Sequence, residues 1–110
     1  MVLNRLIITQ GDPLMFHINH TENGSVYSLK PKESYFLAIT TDTDYNGSIF
    51  YFYSKGPDFD VNINLEEGMY AFEIGIKNDD GPTRVILPAM DERRRPLNQL
   101  IVLRRLYNEF

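Results

Sequence analysis

The chain has 110 residues and a formal net charge of −4; it is 43% hydrophobic and 13% aromatic, with seven Tyr, seven Phe, no Trp and no Cys. That composition describes one domain spanning residues 1–110, long enough to bury a single core, and excludes a disordered segment. It also excludes a disulfide framework, a thiolate nucleophile and a cysteine-bound zinc, and no apolar run approaches the roughly 20 residues that cross a bilayer as a helix.

In chain order, the first apolar run is Leu6-Ile7-Ile8-Thr9, a β-prone segment broken by Gln10-Gly11-Asp12-Pro13. Glycine there permits positive φ, and proline removes a backbone donor and restricts Asp12. The N-terminus is too short and too polar to read as a secretion signal. Residues 14–21 alternate, with Leu14, Phe16 and Ile18 on one face and Met15, His17 and Asn19 on the other. Glu22-Asn23-Gly24-Ser25 is a hairpin turn leading into the short strand Val26-Tyr27-Ser28-Leu29. Residues 34–41 are apolar almost throughout, as expected of a central strand covered on both faces. A polar loop around Asn46-Gly47 follows, and then Ile49-Phe50-Tyr51-Phe52-Tyr53. Five large side chains in a row cannot all enter one core. Phe50 and Phe52 share one face and Tyr51 and Tyr53 the other; one set belongs to the core, and the other is a contact surface or lies under a loop.

Residues 58–65 alternate strictly, with Phe59, Val61, Ile63 and Leu65 facing a core. Glu66-Glu67-Gly68 turns the chain, and Tyr70, Phe72, Ile74 and Ile76 resume the period of two. The order Leu65-x-x-Gly68-x-Tyr70 at a crossing between strands looks like a tyrosine corner, in which the hydroxyl bonds back to upstream backbone. Leu65, Gly68 and Tyr70 are therefore read as structural. Asn78-Asp79-Asp80-Gly81 predicts a hairpin into a strand at residues 83–87 that ends at Pro88. The last apolar segment, residues 98–106, fits a strand through Ile101-Val102, although Leu100, Leu103, Tyr107 and Phe110 also have helical spacing. Strand is the reading taken. Eight or nine short strands separated by Gly, Pro, Asn and Asp turns predict an all-β, immunoglobulin-like antiparallel sandwich.

Charge is unevenly placed along this chain. Residues 1–90 hold six Lys/Arg and twelve Asp/Glu, whereas residues 91–110 hold five Arg and three Asp/Glu. An acidic body argues against nucleic acid as the main partner. Its pairing with Arg93, Arg94, Arg95, Arg104 and Arg105 suits association between copies or with another protein. The same arginines equally fit a solvated loop.

Few residues point to chemistry. Asp42-Thr43-Asp44-Tyr45-Asn46-Gly47 copies the first half of a calcium loop, but its twelfth position is Tyr53 rather than a bidentate Glu. Asp42, Asp44 and Asn46 are therefore weak metal candidates, and a plain turn is the better reading. His17 and His20, three apart on a strand, point to opposite faces and cannot jointly hold a metal. No nucleophile elbow accompanies them, and Asp58/Asp60 and Glu66/Glu67 sit on a solvent face or turn, so catalysis is not expected. Asn23-Gly24-Ser25 and Asn46-Gly47-Ser48 match a glycosylation acceptor but read better as turns without a secretion signal.

One resemblance covers nearly the whole chain. An opening strand runs into Ile8-Thr9-Gln10-Gly11-Asp12, and an Asn-Gly turn leads into Val26-Tyr27-Ser28-Leu29. An apolar strand at residues 35–40 is followed by Gly68-Met69-Tyr70-Ala71-Phe72-Glu73-Ile74 and an Asp-Gly hairpin into Val85-Ile86-Leu87-Pro88. This layout resembles the N-terminal immunoglobulin-like domains of phage and prophage tail baseplate proteins of the baseplate-upper-protein type. The resemblance implies virion scaffolding without catalytic residues or a cofactor, assembled in the bacterial host cytoplasm. It further implies a homo-oligomer whose partners are other tail and baseplate proteins, with neither nucleic acid nor membrane among them. The expected contact residues are Tyr51, Tyr53 and the five C-terminal arginines. The alternative is a carbohydrate-binding module with Tyr45, Tyr51 or Tyr53 as stacking platform, with calcium in the Asp42-to-Ser48 loop.

Overall fold

The computed structural model describes residues 2–41 and 49–107. Among them the chain forms ten strands: β1 (Asn4–Thr9), β2 (Pro13–His17), β3 (Thr21–Glu22), β4 (Ser25–Val26), β5 (Glu33–Thr41), β6 (Phe50–Ser54), β7 (Asp58–Asn62), β8 (Gly68–Asn78), β9 (Arg84–Leu87) and β10 (Asn98–Leu103). The larger layer has the order β1-β10-β8-β5-β6, with β9 also on β8, and the smaller layer is the antiparallel pair β2–β7. The fold is an all-β sandwich. The strand count exceeds the expected eight or nine because the strand expected over residues 14–21 is divided: β2 ends at His17, and Thr21 begins the two-residue ladder β3–β4 over the Asn23-Gly24 turn. Both turn residues have positive φ, 54° and 81°, which matches the twist of a two-residue hairpin.

The C-terminal segment resolves as strand and pairs within its own sheet. β10 lies between β1 and β8, antiparallel to β8 and parallel to β1. The parallel pair departs from the all-antiparallel expectation. A parallel pair needs a long crossover, and here the crossover is nearly the entire chain, from Asn4 opposite Asn98 to Thr9 opposite Leu103. Asn4 Nδ2 donates to Asn98 Oδ1 at 2.7 Å, and Asn98 Nδ2 donates to the Pro88 carbonyl at 2.7 Å. Thus the buried amide of Asn98 is satisfied on both sides, as a buried polar group must be.

The period of two decides the core. β8 turns Tyr70, Phe72, Ile74 and Ile76 inward; β5 contributes Tyr35, Leu37 and Ile39, and β10 contributes Leu100 and Val102. From the smaller layer and the segment after it come Leu14, Ile18, Phe59, Ile63 and Leu65. Phe16 and Phe59, directly opposite across β2–β7, stack with ring centroids 5.0 Å apart. The turn into β8 is closed by the Tyr70 hydroxyl, which donates to the Glu66 carbonyl at 2.8 Å while its ring is buried. Gly68 at that turn has φ 155°, a conformation that side chains rarely adopt.

Candidate interaction surface

The same alternation places a second set of residues on the outer face of the larger sheet, on which Phe36, Thr40 and Ala71 are buried and the tyrosines of β6 are exposed. Register lines them up in rows across the strands. Tyr53 is opposite Phe36, Phe36 is opposite Gly75, and Gly75 is opposite Val85. In the neighbouring row Tyr51 is opposite Ala38 and Ala38 opposite Glu73. Further along, Ile7, Ile101 and Met69 form a third row across β1, β10 and β8. Tyr51 and Tyr53 are 56% and 55% exposed, and Ile7, Met69, Val85 and Leu103 are about as open. Of the two faces of β6, Phe52 packs on the core and the tyrosines stand outward.

Small residues shape this surface. Gly75 has no side chain, so the Phe36 ring lies directly on β8 and is only 7% exposed. Ala38 between Tyr51 and Glu73 leaves space, and two hollows result. One, of about 300 Å³, is lined by Phe36, Tyr51, Tyr53, Glu73, Lys77 and Thr83. The other, of about 220 Å³, is lined by Ala38, Ile39, Thr40, Ile49, Tyr51 and Glu73. Tyr51 and Glu73 belong to both. Burial pushes the Glu73 carboxyl above the usual carboxylate range, because desolvation disfavours the charged form. The Lys77 ammonium sits 5.2 Å from the centroid of the Tyr53 ring, within reach of a cation–π attraction.

The five arginines do not form one patch. Arg93, Arg94 and Arg95 lie in the loop before β10, whereas Arg104 and Arg105 follow its other end; six strand residues separate the groups by roughly 20 Å. Arg95 and Arg105 are held by groups of the same chain. Asp91 Oδ1 accepts from the Arg93 and Arg95 amides at 2.8 and 2.9 Å, and its Oδ2 accepts from Arg95 Nε at 2.9 Å. These donors hold the Asp91 carboxyl below its ordinary value, the Arg95 amide contributing most. Arg105 Nε donates to the Gln10 carbonyl at 2.6 Å, and its Nη2 pairs with Asp12. Among the described residues the side chains of Arg93 and Arg104 make no such contact, and both residues are exposed.

The histidines separate, but not by alternation along one strand, because β2 ends at His17 and His20 lies beyond it. His17 Nδ1 lies 2.7 Å from Asp58 Oδ1 at the surface. His20 is withdrawn, its ring 5.4 Å from that of Tyr27 and its Nε2 3.4 Å from Glu22 Oε1. Asp60, Glu66 and Glu67 are exposed. The calcium-loop residues Asp42, Asp44 and Asn46, and Tyr45 with them, lie outside the described residues.

Sequence reasoning missed Glu73 and Ala38 as residues of this surface, whereas Phe36 is buried, in keeping with a strand covered on both faces. The signal for Glu73 was available: it is the one charged residue within Tyr70-Ala71-Phe72-Glu73-Ile74-Gly75-Ile76, on the face opposite the core positions and between two small neighbours. No protein-family model matches the chain, and no curated protein matches it either.

Proposed function

We propose that this domain is a non-catalytic interaction module that assembles with other proteins through the outer face of its larger sheet. The observation carrying this reading is the aligned aromatic and apolar face of β6, β5, β8 and β9, open where a sandwich sheet of a monomer is ordinarily polar. Aromatic residues are enriched in the contact core of an interface, where large rigid rings bury area at little entropic cost. The exposed Arg93 and Arg104, on an otherwise acidic chain, add a charge term that orients an approaching partner. The resemblance to baseplate domains supplies the partner class: tail and baseplate proteins of a phage or prophage, together with further copies of this chain.

The test is affinity capture with the tagged chain from source-organism lysate, with and without prophage induction, set beside a Tyr51→Ser/Tyr53→Ser variant. The expected result is recovery of tail or baseplate proteins only after induction, and their loss with the variant. Because both rings are more than half exposed, the variant should melt as the parent does, within about 0.5 kcal/mol. Retention on cell-wall glycan, with no protein enriched, would favour the carbohydrate-binding reading instead. That reading has its own support in two tyrosines two residues apart on one strand face, a spacing suited to stacking against sugar rings.

A further inference from the structure

We propose that the paired hollows around Tyr51 and Glu73 form a receptor for an arginine side chain carried by a neighbouring protein, a reading that rests on the assembly function above and names its chemistry. Among the described residues Glu73 makes no hydrogen bond or ion pair, yet it is withdrawn from solvent. The other carboxylates differ in one respect or the other. Glu22 pairs with Arg84, Glu33 accepts from Tyr27, Asp12 pairs with Arg105 and Asp91 with Arg95. Asp60, Glu66, Glu67 and Glu92 have no such partner but stand in water. A partly desolvated carboxylate left unpaired is costly, and the same desolvation raises its affinity for a proton.

The surroundings select the form of that charge. Phe36, Tyr51 and Tyr53 wall the larger hollow, and aromatic faces attract cations. Lys77 lines the same hollow with its ammonium 5.2 Å from the Tyr53 ring centroid, so Tyr53 is already engaged and Tyr51, which lines both hollows with Glu73, is the ring open to an incoming cation. A guanidinium is planar, weakly hydrated, able to stack on a ring, and able to fork onto a carboxylate with two parallel hydrogen bonds. An ammonium is a strongly hydrated point charge and gains less from an aromatic wall. Ala38 between the ring and the carboxylate leaves room for such a plane. The volumes, about 300 and 220 Å³, fit a side chain rather than a folded segment.

The experiment is a heteronuclear NMR titration of the full chain with N-acetyl-arginine amide, its uncharged counterpart N-acetyl-citrulline amide, and a cello-oligosaccharide. The arginine probe should shift the Phe36, Tyr51 and Glu73 resonances saturably. Citrulline, and arginine added to Glu73→Gln, should bind about tenfold more weakly, the worth of one charge-assisted contact. Equal binding of citrulline, an unaffected Glu73→Gln, or shifts at these residues from the oligosaccharide alone would overturn the proposal. Failure here is distinguishable from failure of the assembly reading. Partners captured equally by wild type and Glu73→Gln would keep assembly and remove the arginine receptor, whereas arginine binding without captured partners would do the reverse.

Discussion

Two glutamates show how local surroundings set opposite electrostatic consequences. Glu33 is buried, but the Tyr27 hydroxyl donates to its Oε1 at 2.5 Å and the Lys30 amide at 2.9 Å. Those donors hold its carboxyl below the ordinary value, Tyr27 contributing most. Glu33 therefore adds stability above its unfolded pKa that is lost as pH falls through the folded one. Glu73 is the reverse case. Its folded pKa lies above the unfolded value, so the folded state is the better proton binder, and stability falls as pH rises from the ordinary carboxylate range through the raised value. Replacing Glu73 by Gln should thus raise the melting temperature at pH 7. The gain should vanish below about pH 4, where the parent carboxyl is protonated in both states. Paired thermal melts at the two pH values check this. A destabilised Glu73→Gln at neutral pH would mean that the carboxylate has a partner inside the fold. A residue whose neutralisation stabilises the protein is one kept for something other than folding.

β8 is the element on which both faces depend. It pairs with β5 along one edge over nine positions, while β10 and β9 share the other edge in succession. Between Ile74 and Gly75 the register to β9 shifts, so that Leu87 and Val85 oppose consecutive residues and Ile86 is the extra one. A bulge of this kind bends a strand and re-aims its side chains. Here it brings the Arg84 carbonyl close to Gly75. A Cβ at position 75 would stand 2.2 Å from that oxygen and 2.3 Å from Phe36 Cε2. Neither a ladder carbonyl nor a ring seated on the strand can move away without disturbing the sheet. Gly75→Ala should cost about 1–3 kcal/mol, the range for overpacking a close-packed site. Gly56→Ala, with nothing within 4 Å of the added carbon, serves as the control. Urea midpoints for the two variants measure the difference, and equal midpoints would show that the Phe36–Gly75 contact is loose.

At the scale of the molecule, β10 joins the two ends of the chain. It carries the fully buried Leu100 and Val102 and the amide that ties Asn4 to Pro88, and among the described residues β1 has no other strand neighbour. A chain truncated after Leu97 should lose cooperative unfolding altogether, because β1 would have nothing to pair with and the core would open along β8. Calorimetry on the truncated chain tests this; a cooperative transition would show that β5, β6, β8 and the smaller layer suffice. Such dependence on contacts between distant positions is expected of a β-sandwich, where loop-closure entropy is met before long-range pairing rewards it. It also explains why the arginines disperse. Neighbours in sequence at 93–95 and 104–105 are separated by the strand they flank, and Asp91 and Asp12 draw Arg95 and Arg105 inward.

Much of this architecture is legible from residue order, because a strand's side chains alternate whatever the strand pairs with. Phe59 with Val61, Tyr70 with Phe72, Ile74 and Ile76, and Tyr51 with Tyr53 are grouped by period alone, and Asn23-Gly24 marks its hairpin by the positive φ it tolerates. The tyrosine corner is likewise a local event, a hydroxyl reaching back four residues. Period, however, says which residues share a face and not which face is covered, so only packing decided that Phe52 turns inward and Tyr51 and Tyr53 outward. The parallel pairing of β1 with β10, the row Tyr51–Ala38–Glu73 and the unpartnered state of Glu73 came from register between strands far apart in sequence. Such register is set by the burial of every face at once, and no local stretch of residues encodes it.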